Sequence, residues 1–218
     1  MALSFPLTLA QFFDLLPASR VRMDPDEALD VSQTRGGEIL TADLGESLWT
    51  GQIDLGRMTH AERADISPLI NLLRRGNGSF LVSDHTRPWP RLDPRGLILG
   101  AAMPTILTVD PGMLELRLAG LPPGYRLSRG DLISWIYREN PARFALHEFV
   151  GSAIANPSGQ TGLIEVSPPI REGVVAGTAV QLIWPRCKAK IVPGTADTGQ
   201  SIRTITEGAT LQWQQTLR

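Results

Sequence analysis

Thr59-His60-Ala61-Glu62-Arg63-Ala64-Asp65-Ile66-Ser67-Pro68-Leu69-Ile70-Asn71-Leu72-Leu73-Arg74-Arg75-Gly76 is the stretch whose apolar residues fall at helical spacing for several turns. Ile66, Leu69, Ile70 and Leu73 line one stripe, which marks the face that meets a core. Thr59 with Glu62 three residues later has the form of a capping box, the hydroxyl taking an orphan amide and the carboxylate reaching back. Arg74 and Arg75 suit the negative end of the helix dipole, and Gly76 is suited to a left-handed residue that ends the helix. Leu48 to Leu55 before it and Ser79 to Ser83 after it read as strands. A strand, a helix and a strand within about 40 residues make a compact unit around which the other segments must be placed.

Pro68 interrupts that reading. It has no amide to give the Ala64 carbonyl, a loss of roughly 3 kcal/mol inside a helix. Burial of the stripe's aliphatic side chains at roughly 1.5 to 3 kcal/mol each outweighs it. A kinked helix is therefore expected over a second helix capped by Ser67.

Hydrophobic residues make up 42% and charged residues 20% of the 218 positions, so a globular chain able to bury a core is expected. A formal net charge of -1 argues against nucleic acid or an anionic membrane as the main partner. One cysteine, Cys187, allows no internal disulfide and, with His60, His85 and His147 scattered, no zinc site; it fits a chain made in a reducing cytoplasm. Pro6 and Asp14 break the first apolar run, and no segment reaches the roughly 20 apolar residues of a membrane span. The chain is thus expected to be neither secreted nor membrane-embedded. Its 21 glycines and 17 prolines are spread along its length, as in many short strands joined by turns.

Taken in order, Thr8 is placed to cap a short turn carrying Phe12, Phe13, Leu15 and Leu16 and ended by Pro17, a docking arm for the chain's own core, with a neighbouring subunit as the alternative. Val21 to Val31 alternates weakly, and Asp24-Pro25-Asp26 makes it a poor continuous strand. Gly36-Gly37 is a turn, and Glu38 to Leu44 reads as a strand separated by Gly45 from the next. From Thr105 the texture changes. Thr105 to Val109, Leu114 to Leu118, Asp131 to Tyr137, Arg143 to Ile154, Leu163 to Val166 and Ala179 to Ile183 are short β runs bounded by turn residues. Ala189 to Val192 and Ile202 to Gln214 close the chain. The expected fold is mainly β with one conspicuous helix: a β-sandwich domain from 1–91 and 185–218, interrupted at 92–184 by a small OB-like or barrel β domain. Pro88 to Pro94 and Trp184-Pro185 are the two crossings.

Motifs for chemistry are sparse. Gly76-Asn77-Gly78 lacks the spacing of a nucleotide loop, and Ser79 lacks the second glycine of a nucleophile elbow. Asp84-His85 and His147-Glu148 put an imidazole beside a carboxylate, but neighbours along a strand point to opposite faces, so surface or turn roles are expected. Asp84, His85 and Asp93 have no spacing that would fix a metal. Trp89 and Trp135 are candidates for a sugar-stacking platform, with core or subunit contact the simpler role. No catalytic, cofactor-binding or metal-binding residue is assigned.

Trp49-Thr50-Gly51-Gln52, Met58-Thr59-His60-Ala61-Glu62, Leu69 to Leu73, Arg75-Gly76-Asn77-Gly78-Ser79-Phe80 and Asp84 to Pro90, in this order, resemble minor tail proteins of long-tailed bacteriophages and gene transfer agents. Leu121-Pro122-Pro123-Gly124 with Gly130-Asp131, and the closing Thr210-Leu211-Gln212-Trp213, are similar to later parts of the same pattern. The resemblance covers most of the chain, and it is the order of common structural motifs that makes it distinctive. Pro68 departs from the family's uninterrupted helix. Size and an interrupted tube-like domain most resemble the distal tail protein. That resemblance implies a virion structural protein without cofactor or chemistry, a homo-oligomer closed as a hexamer ring, between the tail tube protein and the baseplate hub protein. It implies no membrane partner, DNA only as a passenger through the ring, and a place in the virion tail after assembly in the host cytoplasm, and a ring protein of this kind is expected to assemble still when 92–184 is removed. A carbohydrate-binding module of the host-contact apparatus, or another tail ring such as a hub or terminator, is the alternative.

Overall fold

The computed structural model describes residues 3–27, 29–43, 45 and 47–218. The chain is mainly β, 41% strand against 9% helical, with a single α-helix and curled sheets, as the turn-rich composition leads one to expect. In chain order, β1 (Ala18–Pro25), β2 (Leu29–Gln33), β3 (Ile39–Asp43), β4 (Trp49–Leu55) and β5 (Met58–Thr59) precede α1 (His60–Leu73), and β6 (Phe80–Ser83) follows it. Next come β7 (Thr105–Val109), β8 (Glu115–Ala119), β9 (Arg126–Leu127), β10 (Leu132–Glu139), β11 (Ala142–Phe149), β12 (Ala153–Ile154), β13 (Ile164–Ser167) and β14 (Val180–Gln181). The chain closes with β15 (Arg186–Ile191), β16 (Gln200–Ile202), β17 (Ile205–Glu207) and β18 (Thr210–Gln215).

Two sheets dominate. One is five-stranded in the order β1-β4-β18-β15-β6, the other six-stranded in the order β14-β10-β11-β13-β8-β7. The second closes on itself: Thr105 of β7 bridges Ala179, the Ile106 amide donates to the Thr178 carbonyl at 2.9 Å, and the Val180 amide donates to the Pro104 carbonyl at 2.9 Å. Closure leaves a small barrel without a free edge along those strands. All of its strands lie between β6 and β15, which are themselves hydrogen-bonded neighbours from Ser83↔Arg186 to Phe80↔Ala189. The chain thus leaves the first sheet at one strand and re-enters it at the adjacent one.

Each sheet has its own buried cluster, and β10 and β11 serve both. Ile133, Trp135 and Tyr137 of β10 and Ala145 and Phe149 of β11 point into the barrel. Leu132 and Leu146 from the same strands belong to the other cluster, with Trp49, Ile53, Leu211 and Trp213, and Phe144 packs against it. Alternation on a strand buried on both faces makes this possible. The N-terminal turn packs inward as expected: Leu7, Phe12, Phe13 and Leu16 are in the first cluster, while Leu15 faces solvent. Gly51 is required where β4 passes under Trp213, because a Cβ there would collide with the indole and with the Arg22 carbonyl.

The helix has the expected cap. The Glu62 amide donates to Thr59 Oγ1 at 3.3 Å and the Thr59 amide donates to Glu62 Oε2 at 2.7 Å. Ile66, Ile70 and Leu73 are buried against the five-stranded sheet, with Leu69 half-buried beside them. Pro68 lies inside one continuous helix and is exposed, so the carbonyl it fails to satisfy faces solvent. The end differs from expectation. Gly76 is not left-handed; Arg74 closes the helix in right-handed geometry, and the tight position is Gly78, where a Cβ would collide with the Leu73 carbonyl. Arg74 Nη2 donates to the Ala196 carbonyl at 2.7 Å, which ties the helix end to the loop before β16.

Other segments also depart from their sequence reading. Val21 to Val31 contains two strands, β1 and the start of β2, broken after Pro25, and β1 is a full edge partner of β4. The strand read at Glu38 to Leu44 is β3, which pairs with β2, and Leu44 lies outside the described residues. The run from Arg143 to Ile154 divides at Gly151, its last part pairing with β9. Ile202 to Gln214 divides into the end of β16, then β17 and β18, because Gly208 takes a left-handed φ between the last two.

Candidate functional site

The two imidazole–carboxylate dipeptides meet, but through an arginine. Arg87 Nε donates to Asp84 Oδ2 at 2.8 Å, and its Nη1 donates to Glu148 Oε2 at 3.0 Å and to the Gly130 carbonyl at 3.3 Å. Asp84 also accepts from the Thr86 amide at 2.8 Å and the Thr86 hydroxyl at 2.6 Å. Burial pushes its carboxyl up, yet these donors and the guanidinium outweigh burial and hold it below the usual carboxylate range. Of the surface or turn roles expected, Asp84, though buried, keeps the turn role, its carboxylate accepting from Thr86 and its carbonyl from the Arg87 amide, and His85 is exposed in the same turn; for His147, at 0% exposure, the expectation is wrong. The reading of strand neighbours holds, since Glu148 turns to the crossing while His147 turns inward.

His147 stacks on Trp135 at 4.5 Å, and its Nδ1 lies 2.6 Å from the Pro168 carbonyl. Burial pushes its pKa down to about 3, with Arg171 adding to the effect and the Pro168 carbonyl opposing it. The ring is neutral, and Nδ1 carries the proton it donates. Trp135 is buried at 2%, so neither of its faces is open to a sugar. Its odd register position on β10 turns it into the barrel. Asp93 sits in a different network: it accepts from the Ile98 and Leu99 amides at 2.8 and 2.9 Å and from the Tyr125 hydroxyl at 2.9 Å. Among the described residues no group of His, Cys, Asp and Glu gathers for a metal. Cys187 is fully buried, and burial pushes its thiol up, away from the reactive thiolate.

The crossings carry an aromatic corner. His85 stacks on Phe13 at 4.7 Å and meets the edge of Trp184 at 5.9 Å, and Trp184 meets Trp89 edge-on at 6.4 Å. Trp184 is 39% exposed and held at φ 50°, its amide donating to the Pro88 carbonyl at 2.6 Å. Sequence reasoning picked Trp89 here and missed Trp184, which was read as a plain crossing residue.

A second set of contacts binds the five-stranded sheet to the barrel. Carbonyls of β11 at Ala142, Phe144 and Leu146 alternate onto one edge that β13 does not reach. Lys188 Nζ donates to the first at 3.4 Å, Gln215 Nε2 to the second at 2.9 Å, and Trp49 Nε1 to the third at 2.6 Å. Side chains of one sheet thus complete a strand edge of the other.

Two surfaces are left uncovered. β2 and β3 pair with each other and with no other strand among the described residues. Register places Leu29, Val31, Thr41 and Ile39 on one face, where Leu29, Val31 and Ile39 are 37%, 60% and 63% exposed. The ribbon continues the β1–β4 pair outward: the Asp26 amide donates to the Leu48 carbonyl at 2.7 Å just before it departs. The other surface is an open groove of about 810 Å³ along the outer side of α1. No helix among the described residues is long and apolar enough to cross a membrane. No protein-family model matches the sequence, and no curated protein matches it.

Proposed function

We propose that the chain is a structural ring subunit of a virion tail, most like a distal tail protein, closing as a homohexamer between the tail tube and the baseplate hub. The observation that carries this reading is the β2–β3 ribbon. A two-stranded ribbon alone is at best marginally stable in water, and this one exposes an apolar face outside both clusters. Such a face belongs against a neighbour, and a heterologous contact repeated by rotation closes a ring. The resemblance in motif order supplies the tail, the hub and the tube as its setting.

Two further features support it. The face of β4 and β18 opposite the core presents Thr50, Gln52, Thr210, Gln212 and Gln214, with Asp54 taken up by Gln52 and Thr210. In this reading the face lines the lumen, and the cations that share it in register are Arg20 and Arg22 of β1, with Arg22 paired to Asp24, and Lys190 of β15, whose Nζ donates to the Gly76 carbonyl. In this reading the barrel, inserted between adjacent strands, is the 92–184 unit, seated through β10 and β11 on the core of the tube-like part from 1–91 and 185–218.

Light scattering over a range of concentrations, with negatively stained particles, tests the reading. Six-fold mass and rings with a central hole are expected, alone or on added tube and hub proteins. A chain that stays monomeric in all of these mixtures would refute it. The half-exposed Trp89 and the exposed Trp184 keep a sugar-binding reading specific enough to test on a glycan array, where binding abolished by Trp184→Ala would favour it.

A further inference from the structure

Asn77 is followed by a residue that the fold does not let change. Gly78 passes so close to the Leu73 carbonyl that any Cβ would collide with it, which keeps an Asn-Gly pair in the turn between α1 and β6. Asn77 is exposed, and its carboxamide makes no hydrogen bond to another described residue. Glycine has no side chain to shield its amide nitrogen from that carboxamide. Three cations flank the turn. Lys190 Nζ donates to the Gly76 carbonyl at 2.9 Å, Arg74 and Arg75 precede it, and no carboxylate lines the cleft that the three share. None of the three forms an ion pair among the described residues.

The chain's other asparagines, Asn71, Asn140 and Asn156, lack this combination. Asn140 and Asn156 precede Pro141 and Pro157, whose nitrogens carry no hydrogen to lose. Asn71 lies within α1, where its Oδ1 accepts from Arg74 Nη1 at 3.1 Å and the next amide belongs to the helix. We propose that Asn77 is a site of spontaneous deamidation through a cyclic imide formed with Gly78. The Gly78 nitrogen gives its proton to hydroxide and bonds to Asn77 Cγ, closing a five-membered ring. The bond from Cγ to the carboxamide nitrogen breaks, and that nitrogen takes a proton from water and leaves as ammonia. Water then opens the imide at either carbonyl, which leaves aspartate or isoaspartate. Negative charge develops on the Gly78 nitrogen and on the Cγ oxygen, and fixed positive charge around the turn lowers the barrier to it. The attack opens the 2.8 Å hydrogen bond from the Gly78 amide to the Arg75 carbonyl and no bond of α1 or β6. The product carries an anion beside cations that have no carboxylate of their own. This site does not depend on the ring reading.

The folded full chain, incubated in mildly alkaline buffer, digested and followed by peptide mass spectrometry, tests the proposal, with Asn71 of the same chain as the control. Conversion at Asn77 is expected to run about tenfold or more ahead of Asn71, and the matching release of ammonia is expected to disappear in Asn77→Gln. The double variant Arg75→Gln, Lys190→Gln is expected to convert several-fold more slowly than the parent, a change that an effect of the Asn-Gly pair alone would not produce. Equal rates at Asn77 and Asn71 would overturn the proposal. So would conversion at Asn77 only after unfolding in urea, because the Arg75–Gly78 hydrogen bond would then be protecting the turn. A double variant as fast as the parent would overturn the part assigned to charge.

Discussion

His147 shows how much a residue's role depends on the side of a strand it occupies. In sequence it is one of two histidines beside an acid, and period-two alternation correctly separates it from Glu148. What the local pattern does not carry is that both faces of β11 are buried, one in each cluster, so no turn of that strand reaches water at His147. The consequence is a titration. The folded pKa of about 3 lies below the ordinary 6.5, so the native state refuses a proton that the unfolded chain accepts. Stability from this group is complete above pH 6.5 and is lost as pH falls toward 3, at up to about 1.4 kcal/mol per pH unit. His147→Phe keeps a ring on Trp135, removes the titration, and leaves the Pro168 carbonyl unpaired at a cost of about 1 to 3 kcal/mol. Urea unfolding at pH 7 and at pH 4.5 is expected to find the variant weaker at the first and nearly level with the parent at the second. An unchanged gap at both would mean that His147 charges freely in the fold.

At the scale of the element, α1 is the part most legible in the sequence, because its cap, its stripe and its length are set by residues within four positions of one another. The ribbon is legible only in half: Glu38 to Leu44 reads as a strand and contains β3, whereas weak alternation beside Asp24-Pro25-Asp26 hides β2 in a poor continuous strand. The same helix holds a stability that has not been used. Pro68 is exposed and denies one hydrogen bond. Pro68→Ala restores that bond, a gain of about 3 kcal/mol on helix propensity, less about 1 kcal/mol for the greater freedom of the unfolded chain. A net rise of about 2 kcal/mol is expected in urea unfolding of the monomer. A fall instead would show that the local geometry Pro68 imposes is what seats Ile66 and Ile70 together against the curled sheet.

Across the whole molecule, the change of texture at Thr105 made the inserted barrel visible, whereas the pairing of β6 with β15 depends on contact across roughly a hundred residues and no local signal announces it. Nor does any local signal announce that the barrel supplies part of the other core. Ser83 and Arg186 are paired, so a short turn could replace everything between them without moving β6 or β15. On sequence grounds such a chain should assemble. The structure changes that expectation. Removing the barrel takes Leu132 and Leu146 from the first cluster, uncovers Trp49, and leaves the donors of Trp49, Gln215 and Lys188 without the β11 carbonyls. Lost apolar cover costs about 1.5 to 3 kcal/mol per large side chain, and each abandoned buried donor about 1 to 3 kcal/mol. Together these rival the roughly 5 to 15 kcal/mol that a domain has to lose. The excised chain is expected to melt without cooperativity, by circular dichroism and tryptophan fluorescence, and to aggregate before it can form rings. Substituting Leu132→Ser and Leu146→Ser in the intact protein should reproduce the weakening in part while leaving the barrel's own strands folded. A cooperative transition in the excised chain, followed by normal rings, would mean that the sheet, the helix and the N-terminal turn suffice for a core and that β11 merely rests on it.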